Sequence, residues 1–103
     1  MARHWTFMTN HAHVLICLAT DADVTLRQVG EQVGITERAT YRIVNELVEE
    51  GVVKKTRRGR RNFYEIKPDF PLRHPLELHC SVGRLLQMVT GSRRGRSRKS
   101  SPP

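Results

Sequence analysis

The sequence predicts an α+β domain: three helices, a two-stranded β-hairpin, and a fourth helix reached through a proline-rich connector. Three observations carry that reading. Apolar side chains recur at helical spacing over residues 10–50, in segments separated by polar or glycine breaks. Val52-Val53, a basic stretch around Gly59 and then "RNFYEIK" read as two strands and a turn. Beyond three prolines, Leu78, Val82, Leu85, Leu86 and Val89 return to a helical stripe.

Trp5, Phe7 and Met8 give the N-terminal segment an aromatic weight that predicts a docked arm. The first helix starts near Thr9 or Asn10, either of which can cap, and runs to about Thr20. Val14, Leu15, Leu18 and Ala19 form its apolar stripe, and "DAD" at 21–23 breaks it. Thr25 caps a second helix with Leu26, Val29 and Val33 inward, and Gly34 ends it. After the tight turn Gly34-Ile35, Thr36 starts the third helix, "ERATYRIVNELVEE", closed by Gly51. Ala39 stands where a reciprocal capping box would need Glu or Gln, while Glu37 suits the positive end of the helix dipole.

In the hairpin, Gly59 supplies the turn, and Tyr64 and Ile66 pin the returning strand to the core. Phe63, one step out of phase with them, has no assigned place. Pro68, Pro71 and Pro75 make 67–75 an extended connector. The fourth helix is expected from about Pro75, suited to a first turn, to Val89. The chain thus divides into a helical and hairpin unit (1–67), a connector with a C-terminal helix (68–90), and a tail (91–103). That tail, "GSRRGRSRKSSPP", has the composition of a disordered segment.

The totals bound the function. A chain of 103 residues forms a modest core, and a partner copy is a common source of further stability. No apolar run reaches the ~18 residues of a membrane span, and "MARHWTFMTN" has no signal-peptide pattern. Cys17 and Cys80 read as free thiols in apolar helical surroundings. A cytoplasmic, nucleoid-associated protein is the expectation. Net charge is +8, and its placement matters more than its size. Lys54, Lys55, Arg57, Arg58, Arg60 and Arg61 crowd into residues 54–61, and five more cations lie in 91–103, leaving the remainder at −3. Basic segments on a mildly acidic body imply a polyanion partner, nucleic acid before membrane.

Two helices joined by a short glycine-marked break form the helix-turn-helix pattern. With Thr40, Val44 and Leu47 turned inward, the other face of the third helix shows Arg38, Tyr41, Arg42 and Asn45, and Thr36 caps it. Arg matches guanine edges, Asn matches adenine, and Tyr offers a hydroxyl and a stacking face. Glu46, Glu49 and Glu50 lie toward the C-terminal end, so a helix inserting its N-terminal half keeps them outside the groove. In the hairpin, Lys55, Arg57, Arg58, Arg60, Arg61 and Asn62 are the candidates for phosphate or minor-groove contact.

The run "LRQVGEQVGITERATYRIVNELVEEGVVKKTRRGRRNFYEI" resembles the winged helix-turn-helix domains of bacterial transcriptional regulators, of the MarR, IclR and ArsR types. The likeness is ungapped from Gly34 to Val53. It is greatest to a small, typically actinobacterial group that adds a "TNHAHVL" first helix and a "PLRHPLE…VG.LL" C-terminal helix, both found in this chain. The resemblance covers about residues 5–88 and implies a dimeric regulator binding double-stranded DNA through the third helix and the wing. Thr40 departs from the usual aliphatic residue at its position. No effector is implied.

Leu78, Val82, Leu85, Leu86 and Val89 serve either the chain's own core or a homodimer seam, and dimerisation is the expectation. The tail suits DNA or RNA. Five histidines and two cysteines lack i, i+4 or C-x-x-C spacing, so neither a metal site nor a cofactor is expected. No nucleophile motif, phosphate loop or spaced acid pair supports an enzyme. Alternatives to a sequence-specific regulator are a winged-helix protein–protein interaction module and an effector- or metal-responsive regulator.

Overall fold

The computed structural model describes residues 5–91; the basic tail expected at 91–103 lies outside them except for Gly91. Three helices, α1 (Asn10–Thr20), α2 (Leu26–Val33) and α3 (Glu37–Glu49), precede an antiparallel hairpin of β1 (Val53–Arg58) and β2 (Arg61–Ile66). A short helix, α4 (Val82–Leu86), runs on into a π-helical turn, Gln87–Gly91. This is the winged helix-turn-helix architecture with an additional C-terminal helix.

Local chemistry sets the helix ends. Thr9, Thr25 and Thr36 each stand in extended backbone, and their hydroxyls accept from Ala12, Gln28 and Ala39 N–H respectively. At α2 the cap is reciprocal: the Thr25 N–H donates to Gln28 Oε1 at 2.9 Å. Gly34 closes α2 at φ +92°, a left-handed conformation that an L side chain resists. The chain therefore turns within two residues and starts α3.

Val14, Leu15, Cys17, Leu18, Val29, Ile43, Val44, Leu47, Val52 and Val53 form one buried cluster, joined by Val82 and Leu86. Thr40 is buried among them without loss, because its hydroxyl donates to Thr36 O at 2.9 Å. On α1 the inward stripe uses Cys17, whereas Ala19 is exposed. A step of three from Val14 keeps Cys17 on the stripe; Ala19 falls beyond it.

The C-terminal segment departs from expectation. Residues 73–80 are turns, and helix begins only at Val82, capped by Ser81, whose hydroxyl accepts from Arg84 N–H. The physical reason lies in the connector. Leu72 N–H donates to Cys80 O, Val82 N–H to Phe70 O, and Gly83 N–H to Pro68 O. These pairings, with the Pro71–Ser81 bridge, occupy backbone groups that a helix from Pro75 would need for itself. Cys80 and His79 therefore lie in a turn, not on a helix. The leucine–valine stripe is broken too. Leu78 stands off the helix and is exposed, while Val82 and Leu86 are spent on the chain's own core. Leu85 and Val89 remain half-buried.

Of the N-terminal arm only Met8 is half-buried; the aromatic side chains are not docked. Trp5 is 70% exposed and Phe7 93%, and the two rings pack edge-to-face on each other with centroids 4.9 Å apart.

Candidate nucleic-acid interface

The burial of Thr40, Ile43, Val44 and Leu47 fixes the roll of α3. One consequence is that Thr36, Arg38, Tyr41, Arg42 and Asn45 line a single shallow groove on the outer side. Arg38, Tyr41 and Arg42 are exposed and Asn45 is half-buried. Every residue expected on the reading face is thus brought together there.

Acids stand on the same outer face of α3. Glu46 and Glu49 share the lining of the groove. Four residues along a helix bring side chains onto one face, and Arg42 Nη1 lies 3.4 Å from Glu46 Oε2. The other carboxylate oxygen of Glu46 meets His11 Nε2 of α1 at 2.7 Å. The hydrogen bond with His11 lowers the Glu46 pKa from the ordinary carboxylate value; desolvation opposes it, and the Arg42 charge assists. Arg42 is therefore partly neutralised at rest, through a chain that starts on a different helix.

The wing is a tight hairpin. Pairing runs from Val53–Ile66 to Arg58–Arg61, which leaves Gly59 and Arg60 as a two-residue loop. Gly59 alone in that loop has a positive φ, +61°, as a type II′ turn with glycine first requires. Alternation then divides the cations between two faces. Lys55, Arg57 and Asn62 share the face of Tyr64, Val53 and Ile66, which packs toward the helices. Burial raises the Tyr64 pKa, the neighbouring Tyr41 of α3 adds to this, and a hydrogen-bonding Asn62 opposes it. The base of the wing packs against α3 through β1.

Phe63 finds its place on the opposite face. It stands between Arg58 and Arg61, whose guanidinium carbons lie 5.1 and 5.4 Å from the ring centroid. Arg61 also reaches across to the loop before α2, donating to Asp23 O at 3.1 Å. Arg57 Nε donates to Gly59 O within the hairpin. Two of the expected phosphate contacts, Arg57 and Arg61, thus brace the wing in the free protein, and Arg60 stands at its tip.

Sequence reasoning missed the His11–Glu46–Arg42 chain and the Arg61 brace. The Arg42–Glu46 spacing was legible as an i, i+4 pair. The other two links join residues 35 and 38 positions apart and carry no local signal.

Neither the curated proteins nor the solved structures hold a match to this chain. Residues 10–54, from the start of α1 to the second residue of β1, match the family described as winged helix-turn-helix DNA-binding.

Proposed function

We propose that the protein is a sequence-specific regulator of transcription that binds double-stranded DNA as a homodimer on a two-fold site. One observation carries the reading: a single outer face of α3 gathers Arg38, Tyr41, Arg42 and Asn45 beside a basic hairpin. A helix enters the major groove, where each base pair offers a distinct donor–acceptor pattern. Arg38 and Asn45 reach base edges, Tyr41 and Thr36 position the helix, and Arg42 reads a base once it leaves Glu46. Arg60, with Lys55, Arg57, Arg58, Arg61 and Asn62, supplies phosphate or minor-groove contact. Leu78, Leu85 and Val89 are the members of the expected seam that the chain's own core does not bury, and they serve the homodimer.

Selection from random duplex DNA at physiological salt tests the reading. A palindromic motif supports both specificity and the dimer, and its half-site spacing reports the separation of the two α3 helices. With about four phosphates neutralised per subunit, log affinity falls against log salt with a slope of about −7. Arg42→Ala relaxes discrimination between sequences, whereas Arg60→Ala weakens all sequences alike and reduces the slope by about one. Equal recovery of all sequences in the selection, or a slope near zero, refutes the proposal.

A further inference from the structure

Away from the DNA-facing groove, a cavity of about 890 Å³ opens between the start of α1, the C-terminal half of α3 and the 70–85 segment. Its walls are apolar: Leu15, Leu47, Val52, Phe70, Leu72 and Leu85. Three of these, Leu15, Leu47 and Val52, belong to the buried core, so the floor is rigid. Size and lining suit a drug-sized ligand.

The mouth of the cavity carries a distinct charge pattern. Three carboxylates, Glu46, Glu50 and Glu77, share its lining with one guanidinium, Arg73, and two imidazoles, His11 and His74. Arg73 lies 3.5 Å from Glu50 and offsets it. Glu46 is shared between His11 and Arg42. Glu77 makes no ion pair among the described residues. An apolar hole with an excess of carboxylates at its rim selects an apolar body that carries a cationic nitrogen.

We propose that this cavity binds an organic cation, an aromatic or aliphatic amine, whose apolar part fills the space over Leu15 and Leu47 and whose nitrogen meets the rim carboxylates. Glu46 gives the site a connection to α3, because it lines both this cavity and the outer groove. A cation drawn to Glu46 competes with Arg42, and the released guanidinium becomes available to DNA. Ligand and DNA then strengthen each other's binding by the same factor. This coupling rests on α3 being the DNA-contacting helix; the binding of the amine does not.

The first test contains no DNA. Methyl shifts of Leu15 and Leu85 are followed by NMR in titrations of the full chain with phenethylammonium and with phenylpropanoate, ligands of similar shape and opposite charge. The amine is expected to saturate and to bind at least about tenfold more tightly than the acid, a difference of about 1.4 kcal/mol. Glu77→Gln, an exposed and isosteric change, should weaken the amine several-fold and, by removing a repulsive charge, leave the acid bound no more weakly than before. Equal or tighter binding of the acid overturns the proposal. So does binding of the amine that disappears on dimerisation, which would show that the seam to which Leu85 belongs fills the cavity with a second copy. A second arm measures DNA affinity with saturating phenethylammonium. Tightening that is lost in Arg42→Ala supports the coupling, and no change overturns it. A protein that binds no DNA at all defeats the regulator reading, while the DNA-free titration still decides the amine site.

Discussion

Gly30→Ala tests the close packing that orients α3. Gly30 is buried on α2, at the crossing of the two helices of the motif. A Cβ placed there would lie 2.9 Å from Ile35 O and 2.9 Å from Thr40 Oγ1. Neither neighbour gives way easily. Ile35 O belongs to the turn backbone, and the Thr40 hydroxyl is held by its hydrogen bond to Thr36 O. On an open helix the change would stabilise by about 0.5–1 kcal/mol. Overpacking of a close-packed core costs about 1–3 kcal/mol. At the midpoints of these ranges the net is a loss of about 1 kcal/mol, and in a domain of this size each kcal/mol lowers Tm by roughly 4–8 °C. Thermal unfolding followed by circular dichroism reads the shift directly. Gln32→Ala, exposed on the same helix, is the control and should stay within about 0.5 kcal/mol of wild type. A Gly30→Ala protein that melts at or above the wild-type temperature would show that the crossing has room, and the packing argument would fail.

Three further outcomes follow from the same geometry. Phe63→Ala removes the ring between Arg58 and Arg61, each contact contributing about 0.5–1 kcal/mol at an exposed site. The expected result is a small loss of stability with weaker binding to all DNA sequences; a changed sequence preference would place Phe63 in base reading instead. Burial pushes the Cys17 thiol above its ordinary pKa, so in the folded protein Cys80 should react promptly with a disulfide reagent and Cys17 only after denaturant is added. Prompt reaction of both thiols contradicts this. The Glu46 carboxyl is held below its usual range, first by His11. Its stabilising effect is therefore present above the unfolded carboxylate pKa and is lost as pH falls through the lowered folded value. His11→Ala should move the Glu46 titration upward in carbon-detected NMR, and an unmoved titration would assign the lowering to Arg42.

What was legible in the sequence depended on how local its cause was. Thr25, Gly34, Thr36 and Gly59 act within a few residues of themselves, so the caps and turns they set could be read directly. The inward and outward faces of α3 were likewise fixed by periodicity. The fourth helix was misread because periodicity cannot see competition. Leu78 to Val89 have helical spacing, but the backbone groups of residues 80–83 are claimed by Pro68, Phe70 and Leu72. Trp5 and Phe7 were misread for a related reason: aromatic content indicates a capacity to be buried, and here the two rings pack on each other instead of on the core. Phe63 needed the strand register, which sets it between two arginines rather than toward the core.

In the proposed DNA complex, the acids on α3 narrow how that helix can be seated. Glu46 and Glu49 line the same groove as Arg38 and Asn45, so insertion along the full length of α3 would bring carboxylates against phosphates. An axis tilted to seat the N-terminal half avoids this and presents Thr36, Arg38, Tyr41 and Arg42 first. Glu46 can remain near the edge of such a footprint because His11 holds it by one oxygen. Arg42 sits at the boundary between the two halves, with one neighbour that would read a base and another that would neutralise it. The third helix is thus constrained from two sides, by the core behind it and by a histidine on α1 that shares its acid.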